Sequence, residues 1–144
     1  MSLAQIRDAI PHRAPFLLLD EILEWTEARI VCAKTFGGQE DFFQGHYPGC
    51  PLVPGVLLCE AAMQAGAVLL SRWFAPQKDR IPVVTRMTDV RFKHMVRPDQ
   101  PLRIEVEFKE RLADVFWLDA KVTVEGKVCV RFEFACTAVP RLTT

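Results

Sequence analysis

Pro54-Gly55-Val56-Leu57-Leu58-Cys59-Glu60-Ala61-Ala62-Met63-Gln64-Ala65-Gly66-Ala67-Val68-Leu69-Leu70-Ser71-Arg72-Trp73-Phe74 is the stretch that decides the fold. A proline just inside a helix start loses nothing, because its missing N–H would have no partner there. The run from Gly55 to about Phe74 therefore reads as one helix. Between His46 and Arg72 the only formal charge is Glu60, so most faces of this helix must meet protein. Its most apolar part, 56–70, contains Glu60 and Gln64 and is shorter than the ~20 apolar residues of a membrane span. It is expected to be a buried core helix.

What surrounds the helix is read from the period of the flanking sequence. Leu102, Ile104, Val106 and Phe108 alternate with Arg103, Glu105 and Glu107, the pattern of a half-buried strand. Phe116, Leu118, Ala120, Val122 and Val124 alternate likewise, and after Glu125-Gly126 the pattern resumes at Val128, Val130, Phe132 and Phe134, which predicts a hairpin with a two-residue turn. Further strands are expected over 16–25, 29–36 and 83–92. Ser2 with Gln5 resembles a capping box for a short helix stopped at Pro11, and a break is expected at 76–80. About six strands with short links and one apolar helix give an α+β fold in which a curved antiparallel sheet wraps the helix. No repeat, linker or low-complexity tract interrupts the 144 residues, so 1–144 is expected to be a single domain.

Composition narrows the chemistry. Eighteen Lys plus Arg balance eighteen Asp plus Glu, which gives no electrostatic warrant for a nucleic-acid partner. The five cysteines form no C-x-x-C pair and mostly sit in apolar runs, as reduced core residues of a cytoplasmic protein do. The first ten residues lack the apolar core of an export signal. Ser2 and Ser71 stand in no glycine elbow, and neither a phosphate-binding glycine loop nor a metal-ligand spacing is present, so no cofactor and no metal are expected.

Two residues demand an explanation. Glu60 lies roughly 9 Å into the helix at ~1.5 Å per residue. A carboxylate among Leu57, Leu58, Cys59, Ala61 and Met63 must be hydrogen-bonded, paired or protonated. Gln64, at i+4, shares its face and is placed to hold it. A satisfied structural glutamate and a catalytic acid are both open readings. His46 sits in Gln44-Gly45-His46-Tyr47-Pro48-Gly49, within the long glycine- and proline-rich connection of 37–54. Alone it is an ordinary loop histidine; with a desolvated carboxyl it becomes half of a general base and general acid pair. The unpaired N–H groups at Gly55 and Val56 point at whatever oxygen lies before the helix, as an oxyanion site requires. Cys59 reads as a small buried thiol, since adjacent helix residues point ~100° apart.

Three segments resemble the (3R)-hydroxyacyl-acyl carrier protein (ACP) dehydratases of type II fatty acid synthesis. They are Pro11-His12-Arg13-Ala14-Pro15-Phe16-Leu17-Leu18-Leu19-Asp20, then Phe42-Phe43-Gln44-Gly45-His46-Tyr47-Pro48-Gly49, then Pro54-Gly55-Val56-Leu57 with Glu60-Ala61 and Gln64-Ala65-Gly66. The resemblance implies the hotdog fold, catalysis by His46 and Glu60, and a thioester oxygen held by the Gly55 N–H, with Val56 and Gln64 also counted as substrate-binding. It further implies an acyl-ACP substrate, or acyl-CoA, and a homodimer whose sites combine His46 of one subunit with Glu60 of the other, commonly as a trimer of dimers. The glutamate, where a related branch carries aspartate, resembles plain dehydratases that do not isomerise their product. Cys50, Tyr47 and 97–100 depart from the family pattern, which bears on chain length and carrier recognition. Competing readings are a hotdog enoyl-CoA hydratase using Asp41, a thioesterase, and a non-catalytic acyl-thioester-binding subunit. The basic cluster Arg91, Lys93, His94 and Arg97 is a candidate carrier-docking surface.

Overall fold

The elements follow one another as the periodicity predicts, and a computed structural model describes them over residues 3–74 and 79–142. Ser2 of the expected capping pair, and positions 76–78 of the expected break, lie outside the described residues. Helix α1 (Leu3–Ala9) closes with the Ile10 N–H on Ile6 O, 3.0 Å, immediately before Pro11. Strands β1 (Glu21–Trp25) and β2 (Arg29–Lys34) form a hairpin, and a 3₁₀ turn at Asp41–Gln44 interrupts the long loop. Helix α2 (Gly55–Phe74) is followed by β3 (Arg80–Phe92), β4 (Leu102–Leu112), β5 (Val115–Val124) and β6 (Lys127–Pro140).

All six strands form one antiparallel sheet in the order β1-β2-β4-β5-β6-β3. The turn between β5 and β6 is Glu125 (φ 50°) and Gly126 (φ 79°), and positive φ at both positions is what a two-residue hairpin needs to match strand twist. The inward residues Ile104, Val106, Leu118, Ala120, Val122 and Phe134 are buried against Leu58, Ala61, Ala62, Ala65, Val68 and Leu69 of α2. Gly66 allows the closest approach: a Cβ there would lie 2.6 Å from the ring tip of the fully buried Phe134. α2 has the length and apolarity of a membrane span, yet the sheet packs around it and makes it a core helix.

Several expected boundaries move. Positions 16–20 are not strand, because their backbone is engaged elsewhere: Gln64 Oε1 accepts from the Leu18 N–H (2.8 Å) and Gln64 Nε2 donates to Phe16 O (2.8 Å). β4 continues past Phe108 to Leu112 although its tail is polar, since β5 supplies the ladder. β6 runs beyond Phe134 to Pro140, where Ala135, Cys136 and Ala138 are all buried and the alternation is lost. Nor is α2 buried on every face. Val56 is exposed, and Glu60, Met63, Ala67 and Ser71 are partly so, a stripe at helical spacing that the described residues cover incompletely.

Candidate active site

The loop before α2 aims His46 by backbone bonding on both sides. Its N–H donates to Phe42 O within the 3₁₀ turn (3.1 Å), and the following Tyr47 takes a left-handed φ of 53°. The ring Nδ1 lies 2.9 Å from Leu52 O. A carbonyl oxygen only accepts, so in the neutral imidazole Nδ1 carries the hydrogen and Nε2 keeps its lone pair. A base with its free electron pair on a defined nitrogen results.

His46 lines a cavity of about 770 Å³ with Tyr47, Leu52, Val53, Gly55, Val56, Leu58, Phe92 and Lys93 to Val96. Most of this wall is apolar, as the walls of small-molecule sites generally are. The first turn of α2 borders it. The Leu57 and Leu58 N–H groups both donate to Pro54 O, whereas those of Gly55 and Val56 have no partner among the described residues. Gly55 is needed for a steric reason too: a Cβ would come within 2.6 Å of the Phe92 ring. His46, Gly55 and Val56 therefore line one cavity.

Glu60 does not line that cavity. It lies four residues beyond Val56, on the uncovered stripe of α2, with its side chain 25% exposed. The desolvation expected of its carboxyl is thus only partial, because the described residues leave this part of the stripe open. Gln64 Nε2 donates to Glu60 Oε2 (3.0 Å), as the i+4 spacing predicts, and Gln64 itself is buried. His12 Nε2 stands 3.9 Å from the same oxygen. Nothing in the sequence reading gave His12 a role, although it sits in the Pro11-His12-Arg13 segment. Its approach depends on a chain reversal with no periodic signal.

The remaining candidates separate. Cys59 is buried, and burial pushes its thiol up to about 11, so it is no nucleophile at neutral pH. Cys32 and Cys136 are likewise buried, with thiols pushed up to about 12; Cys50 is exposed, and all five cysteines are free. Asp41 is exposed at the start of the 3₁₀ turn and is absent from the His46 cavity wall. No His, Cys, Asp and Glu cluster suited to a metal occurs among the described residues. Of the basic cluster, Lys93 and His94 line the cavity, while Arg91 is engaged with Asp89 at 3.0 Å.

Known proteins resemble the chain over nearly its whole length. Residues 10–133 match the family model of the FabA-like domain. A 3-hydroxyacyl-[acyl-carrier-protein] dehydratase FabZ of Clostridium perfringens is 41% identical over 128 residues, covering 89% of this chain and 91% of the relative. The FabZ of Petrotoga mobilis is 38% identical, covering 92% and 94%. Among solved structures, the dehydratase heterocomplex ApeI:P from Xenorhabdus doucetiae superposes with a TM-score of 0.78 at 18% identity, over 93% of this chain and 90% of that one. A hypothetical thioesterase with coenzyme A from Streptococcus pneumoniae gives 0.63 at 15% identity, over 85% and 88%. These two likenesses show the hotdog fold.

Proposed function

This chain belongs to the FabA-like family and is a 3-hydroxyacyl-ACP dehydratase, a hydro-lyase of fatty acid synthesis, and on that premise we propose that His46 and Glu60 are its base and acid. The observation that carries the assignment is the His46 Nδ1 contact with Leu52 O, which leaves Nε2 basic beside two unpartnered amides. In this mechanism Nε2 removes a proton from C2 of the (3R)-3-hydroxyacyl thioester. The negative charge developing on the thioester oxygen is met by the Gly55 and Val56 N–H groups. The C2 electron pair closes the C2=C3 double bond as the C3–O bond breaks. Glu60 protonates the departing hydroxyl, which leaves as water, and the product is the trans-2-enoyl thioester. Exchange with solvent then removes the proton from His46 and returns one to Glu60.

Two uncovered features support a dimer as the working form. β3 ends the sheet, so one edge of a 13-residue strand has no partner among the described residues, and Val84, Met87 and Phe92 on it are exposed. The Glu60 stripe of α2 is uncovered as well. A second copy across β3 buries both and brings Glu60 of one subunit to His46 of the other, in the cytoplasm, with Lys93 at the mouth available to an acidic carrier.

Hydration of a crotonyl thioester tests the chemistry. His46→Ala and Glu60→Gln should each lose at least about a hundredfold in rate with folding intact, the scale of a positioned acid or base. Near-wild-type rates would remove the assignment, and release of free thiol would favour a thioesterase.

A further inference from the structure

The segment between α1 and β1 is fastened beside Glu60 from two directions. Arg13 folds back on its own backbone: Nη1 donates to Ile10 O (2.8 Å) and His12 O (2.7 Å), and Nη2 to Arg7 O (3.0 Å). Further along, Gln64 ties Phe16 and Leu18 to α2. His12 lies between these clasps, with Nε2 3.9 Å from Glu60 Oε2. Its Nδ1 is buried and has no hydrogen-bond partner among the described residues. A buried N–H without an acceptor is costlier than a bare lone pair, so the ring hydrogen belongs on Nε2, facing the carboxyl. Oε2 then accepts a hydrogen bond from Gln64 (3.0 Å) and has the His12 N–H as a neighbouring dipole at 3.9 Å, beyond direct hydrogen-bond reach, while Oε1 has no partner among the described residues.

We propose that His12 is a positioning residue for Glu60: with Gln64 it keeps Oε2 an acceptor, so that the acid's proton resides on Oε1 and faces the substrate. This deepens the reading above and rests on Glu60 being the acid. Burial disfavours the imidazolium, Glu60 favours it and Arg13 opposes it, with burial largest, which keeps His12 neutral at neutral pH. Asp8 of α1, Arg72 of α2, Arg80 of β3 and Arg141 line the cavity on its other side.

Glutamine and asparagine at position 12 test the geometry, because a Gln amide reaches the place of Nε2 and an Asn amide only that of Nδ1. Dehydration of 3-hydroxybutyryl-ACP should lose about tenfold in kcat with His12→Asn at nearly constant KM, part of the factor a general acid supplies. His12→Gln should recover most of that loss, with thermal midpoints of the two variants alike. Equal kcat for the two variants, or a loss falling on KM alone, would overturn the proposal. Glu60→Gln is measured in parallel. If it stays active, the acid assignment fails and takes this inference with it; if it is inactive while the His12 variants behave alike, only the role of His12 fails.

Discussion

His12 experiences opposed influences, and burial prevails over the nearby carboxylate, so its titration in the folded chain lies below the ordinary 6.5. The sign of the consequence is fixed. Between those two pH values the unfolded chain binds a proton that the folded one does not, so stability falls as pH falls below about 6.5. Urea unfolding between pH 7.5 and 5.5 should show a declining midpoint in the wild type and a shallower decline in His12→Gln. Parallel declines would mean that His12 is not the group responsible. His46 and Glu60 were visible in the sequence because each is chemically out of place, one a histidine between glycines and the other a lone charge in an apolar run. His12 was not, since its importance lies in a contact across 48 positions that no local pattern announces.

Helix α2 both fills the core and presents the site, and its two faces are distinguished by single atoms. Gly66 lets the sheet approach on one side, while Gln64 joins the N-terminal segment on the other. Gly66→Ala gains up to about 1 kcal/mol of helix propensity but forces a methyl onto the fully buried Phe134 ring, an overpacking cost of about 1–3 kcal/mol. A net loss of about 1 kcal/mol is expected in denaturant unfolding, and a stabilised variant would show that Phe134 can yield. At this scale the sequence was readable wherever one face is wet. The alternation at 102–108 and 116–124 reports strands with a solvent side, and Glu125-Gly126 reports their turn. The readable signal ended where both faces are covered, at Ala135 to Ala138, and where polar residues continue a ladder set by the neighbouring strand, at Lys109 to Leu112. The expected strand at 16–20 failed because Gln64 takes the backbone groups a ladder would use.

In the whole molecule, one chain holds His46 and the two amides in one place and Glu60 in another. If two copies share their sites, each defective subunit can lend its intact half. Co-refolding equal amounts of His46→Ala and Glu60→Gln should recover about a quarter of wild-type activity, since half of the dimers are mixed and one site of two in each is complete. Activity no greater than that of the separate variants would place both groups in one subunit or outside catalysis. Sequence alone supplied this arrangement only through family resemblance. Interfaces between identical chains leave no periodic mark, and the exposed apolar residues of β3 look like ordinary surface exceptions until the sheet order shows where the strand lies.

If the unpaired border of β3 joins two copies that share their sites, it has one more consequence, for abundance. An enzyme whose complete catalytic centre exists only after two identical chains meet becomes idle on dilution. Below its dissociation constant the rate grows with the square of the protein present, so halving expression removes three quarters of the flux.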